Sequence, residues 1–191
     1  MNNLIKNHIN EHIKIISLID KKIQDEIEVF ANMMISALKE NKTIFWCGNG
    51  GSSSDAQHLA AELIGRFNDD RRALRSISLT ADSSVITCIS NDYSFANIFS
   101  RQVEALGDRG DILIGISTSG KSQNIINALK IGKKKGLITM GLLGKGGGKS
   151  LSECDKSIVI PSDITARIQE SHILIGHILC DLIEEGLNLK N

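Results

Sequence analysis

The chain has 191 residues, 41% of them hydrophobic and one of them proline, which is enough apolar surface for a full-sized core and too much for a disordered segment. Lysine plus arginine (22) balances aspartate plus glutamate (22), so no net basic field favours nucleic acid or an anionic membrane, and aromatics at 4% argue against a base-stacking platform. Cys47, Cys88, Cys154 and Cys180 are widely separated and form no C-x-x-C pair, which excludes a zinc knuckle or disulfide framework and suits a reducing cytoplasm.

Met1-Asn2-Asn3-Leu4 opens a polar, helical pattern with no signal-peptide apolar region, and no apolar run is long enough to span a bilayer, so a cytoplasmic protein is expected. From Ile5 to Leu38 the apolar residues Ile5, Ile9, Ile13, Ile16, Ile19, Ile23, Ile27, Phe30, Met34 and Leu38 recur every three or four positions. That spacing predicts one long or two consecutive amphipathic helices, an arm over residues 1–41 whose stripe needs a partner surface, either the sheet layer or the same arm of another subunit. Beyond it, Thr43–Cys47, Ser76–Leu79, Asp111–Ile116, Leu137–Leu143 and Lys156–Ile160 read as strands. Helical patterns lie between them at Ser53–Ile64, Ser83–Ile89, Ser94–Leu106 and Ser122–Lys134, with a last one at Thr165–Leu189. Strands without clear apolar alternation imply a parallel sheet covered on both faces. The expected fold is therefore a single α/β domain over 1–191. Its core, 42–191, is a doubly wound, flavodoxin-like five-stranded parallel sheet flanked by helices, with ligands at the carboxyl ends of the strands.

Two strand-to-helix turns carry the chemistry. Cys47-Gly48-Asn49-Gly50-Gly51-Ser52-Ser53-Ser54 joins the first strand to a helix, and its glycines permit close backbone approach while its serines cap the helix or bind a ligand. A structural turn with a serine cap explains that segment equally well. The second turn, Ile114-Gly115-Ile116-Ser117-Thr118-Ser119-Gly120-Lys121-Ser122, shifts the balance. Hydroxyls gather around one glycine where a helix begins, offering a phosphomonoester neutral donors and free N–H groups without arginine.

The helix after the first turn places Asp55, His58 and Glu62 at i, i+3 and i+7 on one face, and His58 and Glu62 can reach one metal ion or one substrate atom. A surface hydrogen bond between them is the plainer alternative. The last helix supplies Arg167, Gln169, Glu170, His172, His177 and Asp181. Gln169 and His177 are eight residues apart, roughly 12 Å along a helix and about 80° around it, awkward for neighbouring ligands of one ion unless the helix is irregular or two subunits contribute. His172 reads as a capping or surface histidine. Gly144-Lys145-Gly146-Gly147-Gly148-Lys149-Ser150 ends like a P-loop, but Leu143 stands where the pattern needs its first glycine, so nucleotide hydrolysis is not expected. His8 and His12 lie among solvated residues of the arm, an improbable metal site.

Taken together, Gly48-Asn49-Gly50-Gly51-Ser52 with Asp55, His58 and Glu62, Ser90-Asn91-Asp92-Tyr93, Gly115-Ile116-Ser117-Thr118-Ser119-Gly120 with Ser122, and Arg167-Ile168-Gln169-Glu170 with His177 resemble the sugar-isomerase (SIS) domains, and within them the phosphoheptose isomerases. The resemblance runs over nearly the whole chain. It implies conversion of sedoheptulose 7-phosphate to D-glycero-D-manno-heptose 7-phosphate, for lipopolysaccharide core or capsule heptose, by a homotetramer with active sites at subunit interfaces. It also implies one zinc ion per subunit held by His58, Glu62, Gln169 and His177, phosphate at Ser117, Thr118, Ser119 and Ser122, and sugar along Asn49, Gly50, Gly51, Asn91 and Asp92, with Glu62 and Gln169 also on the substrate. Aldose–ketose isomerisation moves a proton between C1 and C2 through an enediol, and Glu62 and His177 are the expected base and proton shuttle. A non-catalytic tetrameric scaffold of the same fold, binding the replication initiator DnaA, is the alternative; it would need no such constellation.

Overall fold

The computed structural model describes residues 1–189. The arm forms two helices, α1 (Asn2–Ser17) and α2 (Lys21–Lys39). They break at Leu18–Asp20 because the Asp20 side chain accepts from the Ile23 N–H (3.1 Å), capping a fresh helix start. The two halves have different fates. Ile27, Phe30, Ala31, Met34, Ile35, Ala37 and Leu38 of α2 enter the core, whereas α1 buries only Ile15 and leaves Ile5, Ile9 and Ile13 more than half exposed.

Next come β1 (Ile44–Gly48), α3 (Gly51–Ile64), β2 (Ser76–Ser78), α4 (Ser83–Asp92), a 3₁₀ turn at Phe95–Asn97, α5 (Ser100–Leu106), β3 (Ile112–Ser117) and α6 (Gln123–Lys135). The chain closes with β4 (Ile138–Gly144), a 3₁₀ stretch at Lys145–Glu153, β5 (Lys156–Ile160) and α7 (Thr165–Gly186). The helix expected over Ser94–Leu106 is thus split, and the last one stops at Gly186 rather than Leu189. The segment read as a polyglycine loop is 3₁₀ in part, interrupted where Gly146, Gly147 and Gly148 take positive φ.

All strand pairs are parallel, in the order β2-β1-β3-β4-β5. Each strand is apolar on both sides because the sheet is covered twice. Ile44 and Trp46 of β1 join Ile112, Ile114, Met140 and Ile158 in a core closed by α2, α3 and α7, while Phe45 and Cys47 turn to the opposite core with Phe99, Val103, Leu113, Ile125 and Leu129. Even the one indole N–H at this depth is paired, Trp46 Nε1 donating to Ser76 Oγ at 2.9 Å.

Candidate active site

In this strand order the crossovers from β1 and β3 leave in opposite directions, and the crevice outside their carboxyl ends is where open α/β sheets take ligands. β1 and β3 are direct neighbours, with Gly48 opposite Ile116, so the two ligand-type turns emerge side by side. Asn49 and Asn124 join them by exchanging amide hydrogen bonds, Asn49 Nδ2 to Asn124 Oδ1 at 2.9 Å and Asn124 Nδ2 to Asn49 Oδ1 at 2.8 Å.

The turn after β3 is held by two of its own hydroxyls. Ser117 Oγ accepts from Gly120 N–H (3.1 Å) and Ser119 Oγ from Lys121 N–H (3.2 Å), while Thr118 and Ser119 remain partly open. Ser122 is the N-cap of α6, yet its hydroxyl makes no cap bond; the Ile125 N–H of the first turn is instead taken by Asn124 Oδ1 at 2.9 Å. Gly120 has φ +61°, and a Cβ there would lie 1.8 Å from the carbonyl oxygen of Gly147. Ser150 N–H completes the brace by donating to Gly120 O (2.9 Å). The segment that imitates a P-loop therefore buttresses the neighbouring turn, backbone against backbone.

The other half of the site is built where α3 and α7 run parallel. Gly176 lets them close together, since a Cβ on it would meet Leu59 Cδ2 at 2.5 Å. At that crossing His58 Nε2 lies 2.9 Å from His177 Nε2 and 3.3 Å from Glu62 Oε1. The cluster is accessible, with side-chain exposures of 47% for His58 and 24% for Glu62. Asp55, one turn earlier on α3, has its carboxyl pushed above the usual range by burial, with the neighbouring His58 opposing the shift. No donor among the described residues reaches its buried Oδ2.

Other expected residues stand apart. Gln169 packs on the first residue of α3, where a Cβ on Gly51 would lie 2.4 Å from its Nε2. Gly51 and His58 are seven residues apart, roughly 10 Å along a helix. Gly50, with φ +57°, is exposed at the tip of the turn. Asn91 and Asp92 end α4 on the surface, bonded to each other (2.8 Å), and among the described residues no hydrogen bond ties them to either turn. His172, read as a surface or capping residue, is instead fully buried. Its Nε2 donates to Leu143 O (3.1 Å), and burial pushes its pKa down to about 4.

The donor chemistry at the crossing suits zinc: two imidazole nitrogens and a carboxylate oxygen, with metal–ligand bonds of about 2.0–2.2 Å and hence ligand–ligand edges of roughly 3.3 Å in a tetrahedral shell. The His58–Glu62 separation matches such an edge, whereas the His58–His177 contact is a hydrogen bond and must open by a few tenths of an ångström. As it stands, no group of three or more His, Cys, Asp or Glu among the described residues forms a metal-holding cage.

Residues 7–144 match the SIS domain family, a span that stops short of α7. Full-length relatives carry the likeness across it. The phosphoheptose isomerase of a Nitratiruptor species is 51% identical over 95% of this chain and 97% of its own length, and phosphoheptose isomerase 1 of Campylobacter jejuni is 50% identical over 97% and 100%. The chain belongs to the phosphoheptose isomerase family. Solved structures agree in shape: the phosphoheptose isomerase of Neisseria gonorrhoeae superposes with a TM-score of 0.92 at 40% identity, covering 96% of this chain and 98% of that one. That of Francisella tularensis gives 0.93 at 35%, covering 96% and 97%.

Two contributors to this isomerase-family site escape a reading of the sequence. Asn124, in the first turn of α6, could have been suspected from its place just after Ser122. Phe67 could not: its ring packs on His177 with centroids 5.5 Å apart and planes at 31°, from a loop that carries no motif.

Proposed function

We propose that this chain isomerises sedoheptulose 7-phosphate to D-glycero-D-manno-heptose 7-phosphate through an enediol, feeding heptose biosynthesis. One observation carries the reading: a carboxylate and two imidazoles converge where α3 meets α7, in a chain about half identical over nearly its full length to phosphoheptose isomerases. Glu62, through the carboxylate oxygen that a metal would leave free, takes the proton from the carbon that loses it and returns it to the neighbouring carbon, and His177 exchanges protons with the C1 and C2 oxygens through the imidazole nitrogen that a metal would leave free. Ser117, Thr118, Ser119 and Ser122 with the α6 N-terminus hold the phosphate, and Asn49, Gly50, Gly51 and Gln169 position the sugar chain.

His58, Glu62 and His177 are the residues that would hold a zinc ion, one per subunit, and Gln169, which sits at Gly51, would complete the set from another subunit. Such an ion, when bound, supplies Lewis-acid polarisation of the carbonyl. A homotetramer fits two further features. Ile5, Ile9 and Ile13 of α1 are more than half exposed, and an apolar groove of about 610 Å³ runs between α2 and α7 past Ile27, Ile35 and Ile178. A second subunit at the site would also give Asn91 and Asp92 a sugar to bind. No helix among the described residues is long and apolar enough to cross a membrane.

The test is to incubate the purified protein with sedoheptulose 7-phosphate and measure aldose formation before and after chelation. Activity lost to the chelator and restored by zinc is expected. No aldose in the presence of zinc would overturn the enzymatic reading in favour of the scaffold.

A further inference from the structure

The loop between α3 and β2 is fastened to α7 along one helical face, at positions 177, 181 and 184, spaced i, i+4 and i+7. Glu184, fully buried, accepts from the backbone N–H groups of Phe67 (3.0 Å) and Asn68 (3.1 Å) and from Arg71 Nε (2.8 Å). Arg71 in turn donates to the carbonyls that end α3, Glu62 at 2.7 Å, Leu63 at 2.9 Å and Gly65 at 3.0 Å. Asn68 Nδ2 reaches Asp181 Oδ1 at 2.7 Å. Each of these bonds fixes the loop; only Phe67 turns that fixity on the chemistry. Its ring contacts the His177 imidazole, with centroids 5.5 Å apart and planes tilted by 31°, and His58 contacts the same imidazole at 5.1 Å with planes at 54°.

The geometry points to Phe67 as a positioning residue: its aromatic ring, seated by the Arg71–Glu184 clamp, fixes the plane of the His177 imidazole and so the direction in which that ring faces the reacting sugar. A half-buried imidazole on a helix has two soft torsions, and a tilted aromatic contact with a flat neighbour restricts both in a way that a merely bulky side chain does not. Because Arg71 holds the carbonyl of Glu62 itself, one clamp ties the loop under the base to the ring behind the proton shuttle. This inference rests on the role proposed for His177.

Phe67→Leu keeps an apolar side chain and removes the flat face; Phe67→Tyr keeps both. The expected result is a kcat at least about tenfold lower for Phe67→Leu with KM within about twofold of wild type, and a Phe67→Tyr variant near wild type in both. Phe67→Leu matching wild type, or both variants falling equally, would overturn the assignment. Should Phe67→Leu melt below the assay temperature, Phe67→Met takes its place with the same two readouts. His177→Asn, measured alongside, separates the two claims: if it turns over normally the role of His177 itself fails, and if it is inactive while Phe67→Leu is normal only the positioning role fails.

Discussion

The proposed phosphate turn at the end of β3 is a single local segment, whereas the proposed catalytic cluster on the α3–α7 face is assembled from two helices far apart in sequence. The Ser117–Ser122 turn is fixed by bonds from its own hydroxyls and by Gly120 lying against Gly147, so its shape is set locally and Gly120 tolerates almost no added volume. His58, Glu62 and His177 come from helices distant in sequence and touch only because those helices pack in one register. Substitution should accordingly do opposite things in the two places: change chemistry without changing the fold on the helical face, and change fold and binding together at the turn.

The helical face offers the largest effect. Glu62→Gln keeps shape and removes the base, and kcat should fall by about 10³ with KM and melting temperature nearly unchanged. Near-wild-type turnover would remove Glu62 from the mechanism. Gly120→Ala tests the turn. It places a methyl group against the Gly147 carbonyl in a left-handed backbone conformation, and a stability loss of about 2–3 kcal/mol in denaturant melts, together with a raised KM, is expected. A variant as stable as wild type would mean that the two loops are not braced as described. The smallest effect concerns the joint between the regions, where His172 of α7 donates to the carbonyl of Leu143 just ahead of the glycine segment. Its folded pKa, about 4, lies below the unfolded value of 6.5, so as pH falls from 6.5 towards 4 the unfolded chain binds a proton that the folded chain refuses. Stability should drop through that window by on the order of 1 kcal/mol per pH unit and be flat for this group above it. Melting curves of His172→Gln, which still donates but cannot be protonated there, should show a shallower decline; an unchanged slope would refute the account.

The same contrast explains what was legible in the sequence. Strand cores and the turns that follow them show as apolar runs meeting clusters of glycine and serine, because the physics that makes them is local. The boundaries found for β1 to β5 differ from those readings by only a residue or so. The pairing of His58 with His177 depends on a helix crossing set by Gly176 against Leu59, and nothing local announces it. The difficulty in bringing Gln169 and His177 to one point was readable from helix geometry, and the structure does separate them along α3, one at Gly51 and the other at His58. The brace supplied by Gly146–Gly148 was hidden behind its resemblance to a nucleotide loop, since glycines look alike whether they approach a ligand or another backbone. His172 was misjudged for a similar reason: burial is a property of the packed helix, not of the residue.

Because α3, α6 and α7 follow β1, β3 and β5 of a parallel sheet, all three begin at the strands' carboxyl ends, and their N-terminal N–H groups share one pole of a chain whose formal net charge is +0. A phosphate ester bound there, as proposed, would be gripped at contact range and barely drawn in from afar. Its encounter rate should stay close to unguided diffusion, and its affinity should change little as ionic strength rises through the physiological range, unlike that of a site built on arginine.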